Sequence, residues 1–315
     1  MKFDERQLVQ IAAIVKHGSA TEAAKALGVS QPSISRTVAQ LEQRLGEPLF
    51  VKGRRPLTPT PLGEIVAQHG LSILTASRKV SDAVTSYRQG NAGVVRLGGV
   101  PFFLDAIISR TIATYNSRHP DVRVDQSYGN LGELTGQLEA DFLDLALTPL
   151  GQSTPPDGFE FIPLLRARNV IAARKHHPLM QKSVLSASDV TKFPWVAPLP
   201  GSPLLLDLHW ILLTLGSNEL AIRYSGGSLM SVINYLSETD ALAILPHSVV
   251  FAMRHENKVG VVPLDVPQPK RVIGILTAAG APMAPAVKRM ADHIQQEFAS
   301  MAEAIERHER TIVWG

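Results

Sequence analysis

The chain has 315 residues, of which 45% are hydrophobic and 19% charged, and it contains no cysteine. That balance excludes a disordered chain and any disulfide or thiolate-metal scaffold, and the length asks for two or three domains rather than one core. No charge-free apolar run reaches membrane-spanning length, and the opening MKFDERQLVQ is charged from its second residue. Both features predict a cytoplasmic protein that does not use a membrane.

The formal net charge is +3. Residues 1–60 hold nine Lys and Arg against five Asp and Glu, so the remaining 255 residues carry a slight negative balance. A basic end on a near-neutral body points to an anionic partner held at one end.

In chain order, Leu8, Ile11, Ala12 and Val15 fall at helical spacing, and Gly18 closes that helix. A short Ala-rich helix follows Thr21 and ends at Gly28. Ser30 is placed to cap a third helix with Pro32 in its first turn, and Ile34, Val38, Leu41 and Leu45 give that helix one apolar stripe. After Gly46, EPLFVKGRRPLTPT reads as a hairpin-like wing around Gly53-Arg54-Arg55-Pro56. Leu62, Val66, His69, Ile73, Ala76, Val80, Ala83 and Tyr87 then alternate spacings of four and three, the pattern of a heptad seam between two copies of a helix.

Gln89-Gly90-Asn91-Ala92-Gly93 reads as a hinge. Beyond it, VVRLGGV, VRVDQSYG and DLALTP alternate as strands with helices at 103–120 and 131–140. The pattern resumes with RNVIAARKHH, WVAPLP, a helix over Pro203–Leu215, AIRYSGG, a helix over Ser228–Glu238, ALAILP, a late strand RVIGILTA and a helix of about 20 residues from Ala284. This is βαβ logic, and two α/β lobes with the chain crossing more than once fit the lengths.

The bend between the second and third helices carries the chemistry. Ala24 is small enough for close helix contact, and Gly28 supplies a permissive turn. With Ile34, Val38 and Leu41 turned inward, Ser33, Arg36, Thr37 and Gln40 are expected to face a groove of DNA. Arginine pairs bidentately with guanine and glutamine with adenine. Ser30, Gln31, Ser33 and Ser35 suit phosphate or base contacts near a helix N-terminus, and Arg54 and Arg55 suit a minor groove or a phosphate.

The stretch GSATEAAKALGVSQPSISRTVAQLEQRLGEPLF, followed by RRPLTPTPLGE, resembles the N-terminal signature of LysR-type transcriptional regulators. The resemblance implies an α/β protein with an N-terminal winged helix-turn-helix and a two-lobed, periplasmic-binding-protein-like effector domain joined by a long linker helix. On that plan residues 1–58 bind DNA and 59–89 form the linker and dimerisation helix. Residues 90–315 form the effector domain, with lobe I about 92–163 plus 268–308 and lobe II about 164–267. The resemblance implies partners as well: double-stranded promoter DNA, a small-molecule inducer or co-repressor of unknown identity, a second copy as dimer or tetramer, and RNA polymerase. It implies no other cofactor and no enzymatic activity. Carried over residue by residue, the DNA-contacting positions are Thr21, Ser30, Gln31, Ser33, Arg36, Thr37 and Gln40, with Arg54 and Arg55 on the wing and Pro32 structural. The alternative is a solute-binding or enzymatic α/β domain fused to a DNA-binding segment, since fold does not fix function.

In such lobes a ligand sits outside the carboxyl ends of the strands. Pro101, Phe102 and Phe103 follow the first strand, Thr148 ends the third, Gly201 and Ser202 lie in the second lobe, and Ser228 and Met230 open a helix there. The hydroxyls are candidate anchors and the aromatic and Met side chains candidate walls, although capping is the commoner duty of such hydroxyls. Relatives often carry Ser or Thr just after the first strand, where this chain has Val100-Pro101-Phe102, which argues against an acidic inducer. His176-His177 reads as a solvated turn rather than a metal site, since adjacent strand residues point to opposite faces. His209-Trp210 reads as an amphipathic helix face, and Asp105, Asp141 and Asp144 form no nucleophile-base-orienter set. Gly98-Gly99 and Gly226-Gly227 lack the Lys-Ser/Thr of a phosphate loop.

Overall fold

Helix α1 (Glu5–His17) starts where the Asp4 carboxylate accepts the Arg6 N–H and stops at Gly18 in the left-handed region. Ser19 caps α2 (Ala20–Leu27), and Gly28, at φ +66°, ends it with its N–H turned back to the carbonyls of Ala24 and Lys25. A residue with a Cβ is strained at that φ, so glycine sets the bend. Helix α3 (Gln31–Leu45) buries Ile34, Thr37 and Leu41, and Ile34 and Leu41 pack with Ile11, Ile14, Ala23 and Ala24 into one small core. In this computed structural model the described residues are 3–313 except 52, 55, 89–92, 152–154, 183, 200–201, 215, 217–220, 265–267 and 281.

Between α3 and the next helix a short ribbon forms. Phe50 bridges Pro59 antiparallel, and the Val51 N–H donates to the Thr58 carbonyl at 2.9 Å. The Glu42 carboxylate ties the ribbon to α3 by accepting the Leu49 N–H at 2.7 Å. Helix α4 (Pro61–Arg88) then runs along α1. A Cβ on Gly70 would lie 2.1 Å from the Leu8 carbonyl oxygen, so only glycine permits this approach. The heptad seam therefore divides. Val66 is buried in the core of its own unit, whereas His69, Ala76 and Val80 are exposed, Val80 at 64%. Of the remaining seam positions, the side chains of Ala83 and Tyr87 lie outside the described residues, as do residues 89–92 of the hinge.

The chain divides into two compact units, with the main boundary between residues 90 and 91. The second unit opens with β1 (Gly93–Gly99) and a helical run of α5 (Pro101–Phe103), a π-helical turn (Leu104–Ile108) and α6 (Ser109–Arg118). It continues through β2 (Val122–Tyr128), α7 (Leu131–Glu139), β3 (Leu145–Gly151) and β4 (Phe159–Arg166). There the chain leaves the first sheet for β5 (Asn169–Arg174), α8 (Ala187–Val190), β6 (Trp195–Ala197), α9 (Pro203–Thr214) and β7 (Ile222–Ser225). After α10 (Leu229–Glu238), β8 (Leu242–Pro246), α11 (His247–Ala252) and β9 (Val259–Val261) it returns as β10 (Arg271–Ala278) and α12 (Pro285–Val313).

The first sheet has the order β2-β1-β3-β10-β4 and the second β7-β6-β8-β5-β9. In each, three neighbouring strands are parallel, the fourth (β10 or β5) runs antiparallel to them, and the edge strand beyond it (β4 or β9) pairs antiparallel with the fourth. The two crossover segments are stitched together. The Gln268 side chain accepts the Asn169 N–H at 2.7 Å and donates to the Asn169 carbonyl at 2.8 Å, copying a strand ladder. The Ala167 N–H donates to the Arg271 carbonyl at 2.9 Å.

Candidate functional site

The N-terminal unit presents one polar face. Ser30, Gln31, Ser33, Ser35, Arg36 and Gln40 are all exposed along α3, and Thr21 and Arg54 are exposed beside it. The Gln31 amide donates to the Ser35 hydroxyl at 2.8 Å, which holds that end of the face in order. Among the described residues the side chains of Arg36 and Gln40 have no hydrogen-bond or ion-pair partner, so their donors stay available. Two expectations change. Thr37 is only 8% exposed, because it lies three residues after Ile34 and four before Leu41 on the inward stripe. Ser30 occupies the cap position of α3 in extended conformation, but its hydroxyl makes no capping bond and remains open. Arg55 lies outside the described residues.

The second unit holds a cavity of about 720 Å³ between the two sheets. Pro101, Phe102, Phe103, Ser202 and Ser228 line it, together with Val196, Leu199, Val232, Leu245 and Ile273. Phe103 is 1% exposed and rests on Phe298, with ring centroids 5.7 Å apart. Thr148 and Met230 are not on the wall. Strand alternation puts Thr148 on the face of Ala146 and Leu150, and its neighbour Pro149 reaches the cavity instead. Met230 lies outside while Leu229 and Val232 turn inward, so helical phase removes it. Gly201 is outside the described residues.

The two serines on the wall are occupied. The Ser228 hydroxyl accepts the Ser231 N–H at 3.3 Å and caps α10, and the Ser202 hydroxyl accepts the Leu204 N–H at 3.3 Å. Ser228→Ala is accordingly expected to cost about 1 kcal/mol of stability, read as a lower Tm for the variant. An unchanged Tm would show that the cap carries no stability.

Sequence reasoning missed the polar centre of the cavity. Asp207, 5% exposed on α9, holds both carboxylate oxygens 2.7 Å from Arg271 Nη1 at the start of β10. It also accepts the Asn169 amide at 2.7 Å. The three residues join the second sheet's helix layer to a strand of the first. Asp105, in the π-helical turn, accepts the Tyr128 hydroxyl at 2.5 Å, which raises the Tyr128 pKa. Ser248, 6% exposed on α11, completes the polar wall. The residues of these groups lie up to 102 positions apart, so no local pattern marks them.

His177 also differs from expectation. It is fully buried, accepts the Leu179 N–H on Nδ1 at 3.1 Å and packs edge-on against Phe193. Burial pushes its pKa down. Among the described residues no group of His, Asp and Glu is arranged to hold a metal ion, and no helix is long and apolar enough to cross a membrane.

Residues 6–64 match the family model of bacterial regulatory helix-turn-helix proteins of the lysR family, and residues 88–299 match that of the LysR substrate binding domain. The chain belongs to the LysR family of bacterial transcriptional regulators. It is a DNA-binding regulator and not an enzyme, and regulators of this family bind promoter DNA and small-molecule effectors and form oligomers.

Among the relatives of this LysR-family chain is the SDS degradation transcriptional activation protein of Pseudomonas sp. (strain ATCC 19151). It is 27% identical over 308 residues, covering 96% of this chain and 99% of its own. The HTH-type transcriptional regulator GalR of Pseudomonas putida is 25% identical, over 95% of this chain and 75% of its own. Among solved structures, CbnR, a LysR family transcriptional regulator, superposes with a TM-score of 0.64 at 18% identity. The match covers 93% of this chain and 99% of CbnR, which confirms the fold.

Proposed function

We propose that the chain reads promoter DNA with Thr21, Ser30, Gln31, Ser33, Arg36, Gln40, Arg54 and Arg55, residues 1–58 forming the reading domain. The observation that carries this reading is the exposed, unpartnered pair Arg36 and Gln40 on a helix whose opposite side is locked in the core. Residues 59–89 join two copies through the exposed side of α4, and two such dimers make a tetramer. The exposed apolar side chains Ile65, Val80 and Val84 support that contact. Residues 90–315 sense a small molecule in the cavity. Ligand that binds one arrangement of the two sheets better than another shifts the DNA-bound population, and without such a difference nothing shifts. The protein works in the cytoplasm, where promoter DNA and RNA polymerase are.

Fluorescence anisotropy with a labelled fragment from upstream of its own gene tests this. Binding is expected to weaken steeply as salt rises, because phosphate contacts release counterions. Arg36→Ala is expected to cost about 1–3 kcal/mol of specific binding if Arg36 reads a guanine bidentately. Unchanged affinity and unchanged sequence preference in the variant would remove Arg36 from the reading set. No binding to any fragment at low salt would overturn the reading as a whole.

A further inference from the structure

The described wall of the cavity has an uneven charge. Asp105, Glu133 and Asp207 supply carboxylates, and Arg271 supplies the single cation. Arg271 and Asp207 neutralise each other, with both Asp207 oxygens at 2.7 Å from Nη1. Two carboxylates remain. Asp105 uses Oδ1 to accept the Tyr128 hydroxyl, and Glu133 uses Oε2 to accept the Asn130 N–H at 2.8 Å, so each keeps a second oxygen. The N-termini of α7, α9, α10, α11 and of the helical run from Pro101 also meet the wall, each with a partial positive charge, and Glu133 already sits in the first turn of α7. The full formal charges left on the described wall are therefore those of the Asp105 and Glu133 carboxylates.

Much of the rest of the wall is apolar, from Pro101 and Phe102 to Val196, Leu199, Leu245 and Ile273. Of the other polar side chains on the wall, Tyr128, Asn130, Asn169, Ser202 and Ser228 are engaged in hydrogen bonds, whereas the Ser248 hydroxyl, on a residue 6% exposed, has none to any other described residue. A buried hydroxyl left open on a cavity wall marks a place for a ligand atom. An incoming anion would lose hydration and meet carboxylates. A donor head would gain a charge-assisted hydrogen bond to Asp105.

We propose that the effector is an amphipathic molecule with an apolar body and a hydrogen-bond-donating head, an amine in preference to an alcohol, and not an organic acid. Asp105 receives the head, Tyr128 holds Asp105 in place, and Ser248 meets a polar atom further along the ligand. This rests on the effector-sensing reading of the cavity and specifies its ligand class.

A matched series tests it. Octylamine, 1-octanol and octanoate share one apolar tail, and near pH 7.5 the first is a cation and the last an anion. Titration calorimetry on the full-length protein is expected to rank octylamine first, with octanoate at least about tenfold weaker. Asp105→Asn is expected to bring octylamine down to the affinity of 1-octanol and to leave 1-octanol unchanged. Octanoate binding as tightly as octylamine would overturn the class, as would no binding by any of the three. Ala197→Trp, which fills the cavity, separates the two levels of the claim. Octanoate binding that is tight in the wild type and lost in this variant would leave the effector cavity standing without the amine preference. Binding of all three that survives the variant would remove the cavity as well.

Discussion

Asp207→Ala is expected to destabilise the C-terminal unit by about 2–4 kcal/mol, somewhat below the cost of breaking a fully buried ion pair. The discount follows from Arg271, whose side chain is 28% exposed and can recruit some water once its partner is gone. Asp207 itself is 5% exposed, and its loss also strands the Asn169 amide. For a unit of this size the Tm should fall by roughly 5–15 °C. The double variant Asp207→Leu/Arg271→Met is the decisive control. Replacing both charges with apolar groups of similar size leaves no buried charge unpaired, so the double variant should recover most of the loss. Calorimetric melting of the two single variants and the double variant reads the coupling directly. A single-variant loss below about 1 kcal/mol, or a double variant no better than Asp207→Ala, would show that the pair does not hold the two sheets together.

The exposed polar face of α3 was legible because its signals are local. The inward positions of α3 recur at intervals of three and four residues, and Gly28 marks the bend by its own chemistry. Thr37 was misplaced because a threonine can serve an inward stripe as well as a polar face, and only packing against α1 and α2 decides which. The cavity was harder. Strand β3 is buried on both faces, so the alternation that would have put Thr148 on the correct side is absent from its sequence. Strand β4 went unread because Pro163 interrupts it. In the fold it is an edge strand, and its register slips opposite Gly274, where Pro163 is tolerated. Helix α9 hid the most. Its exposed side carries Leu206, Trp210 and Leu213, whereas the buried side includes Asp207, the inverse of the usual pattern. A carboxylate turned inward makes sense only once Arg271, 64 residues later, is seen beside it.

Acidification should weaken the C-terminal unit through a second contact between its sheets' outer helices. His247 opens α11 and is 2% exposed, and its Nε2 lies 3.1 Å from His308 Nδ1 on α12, with the two rings stacked at 5.2 Å. The His247 pKa is lowered to about 4, by burial first, then by the neighbouring His308 and Arg168. His308 is lowered too, by burial and then by Arg254 and Lys175. The folded state therefore holds His247 neutral while the unfolded chain protonates it below about pH 6.5. Between those values the unfolded state binds more protons, so stability falls as pH drops. The contribution is intact above pH 6.5 and is lost progressively down to about pH 4, in all by about 2–3 kcal/mol. Urea unfolding of the wild type and of His247→Phe at about pH 7.5 and 4.5 separates this from general acid effects, since only the wild type titrates at this position. The wild type should lose more stability than the variant over that interval, whatever their absolute values. Equal losses in the two proteins would mean that the His247–His308 contact tolerates a proton, and that acid weakens the unit elsewhere.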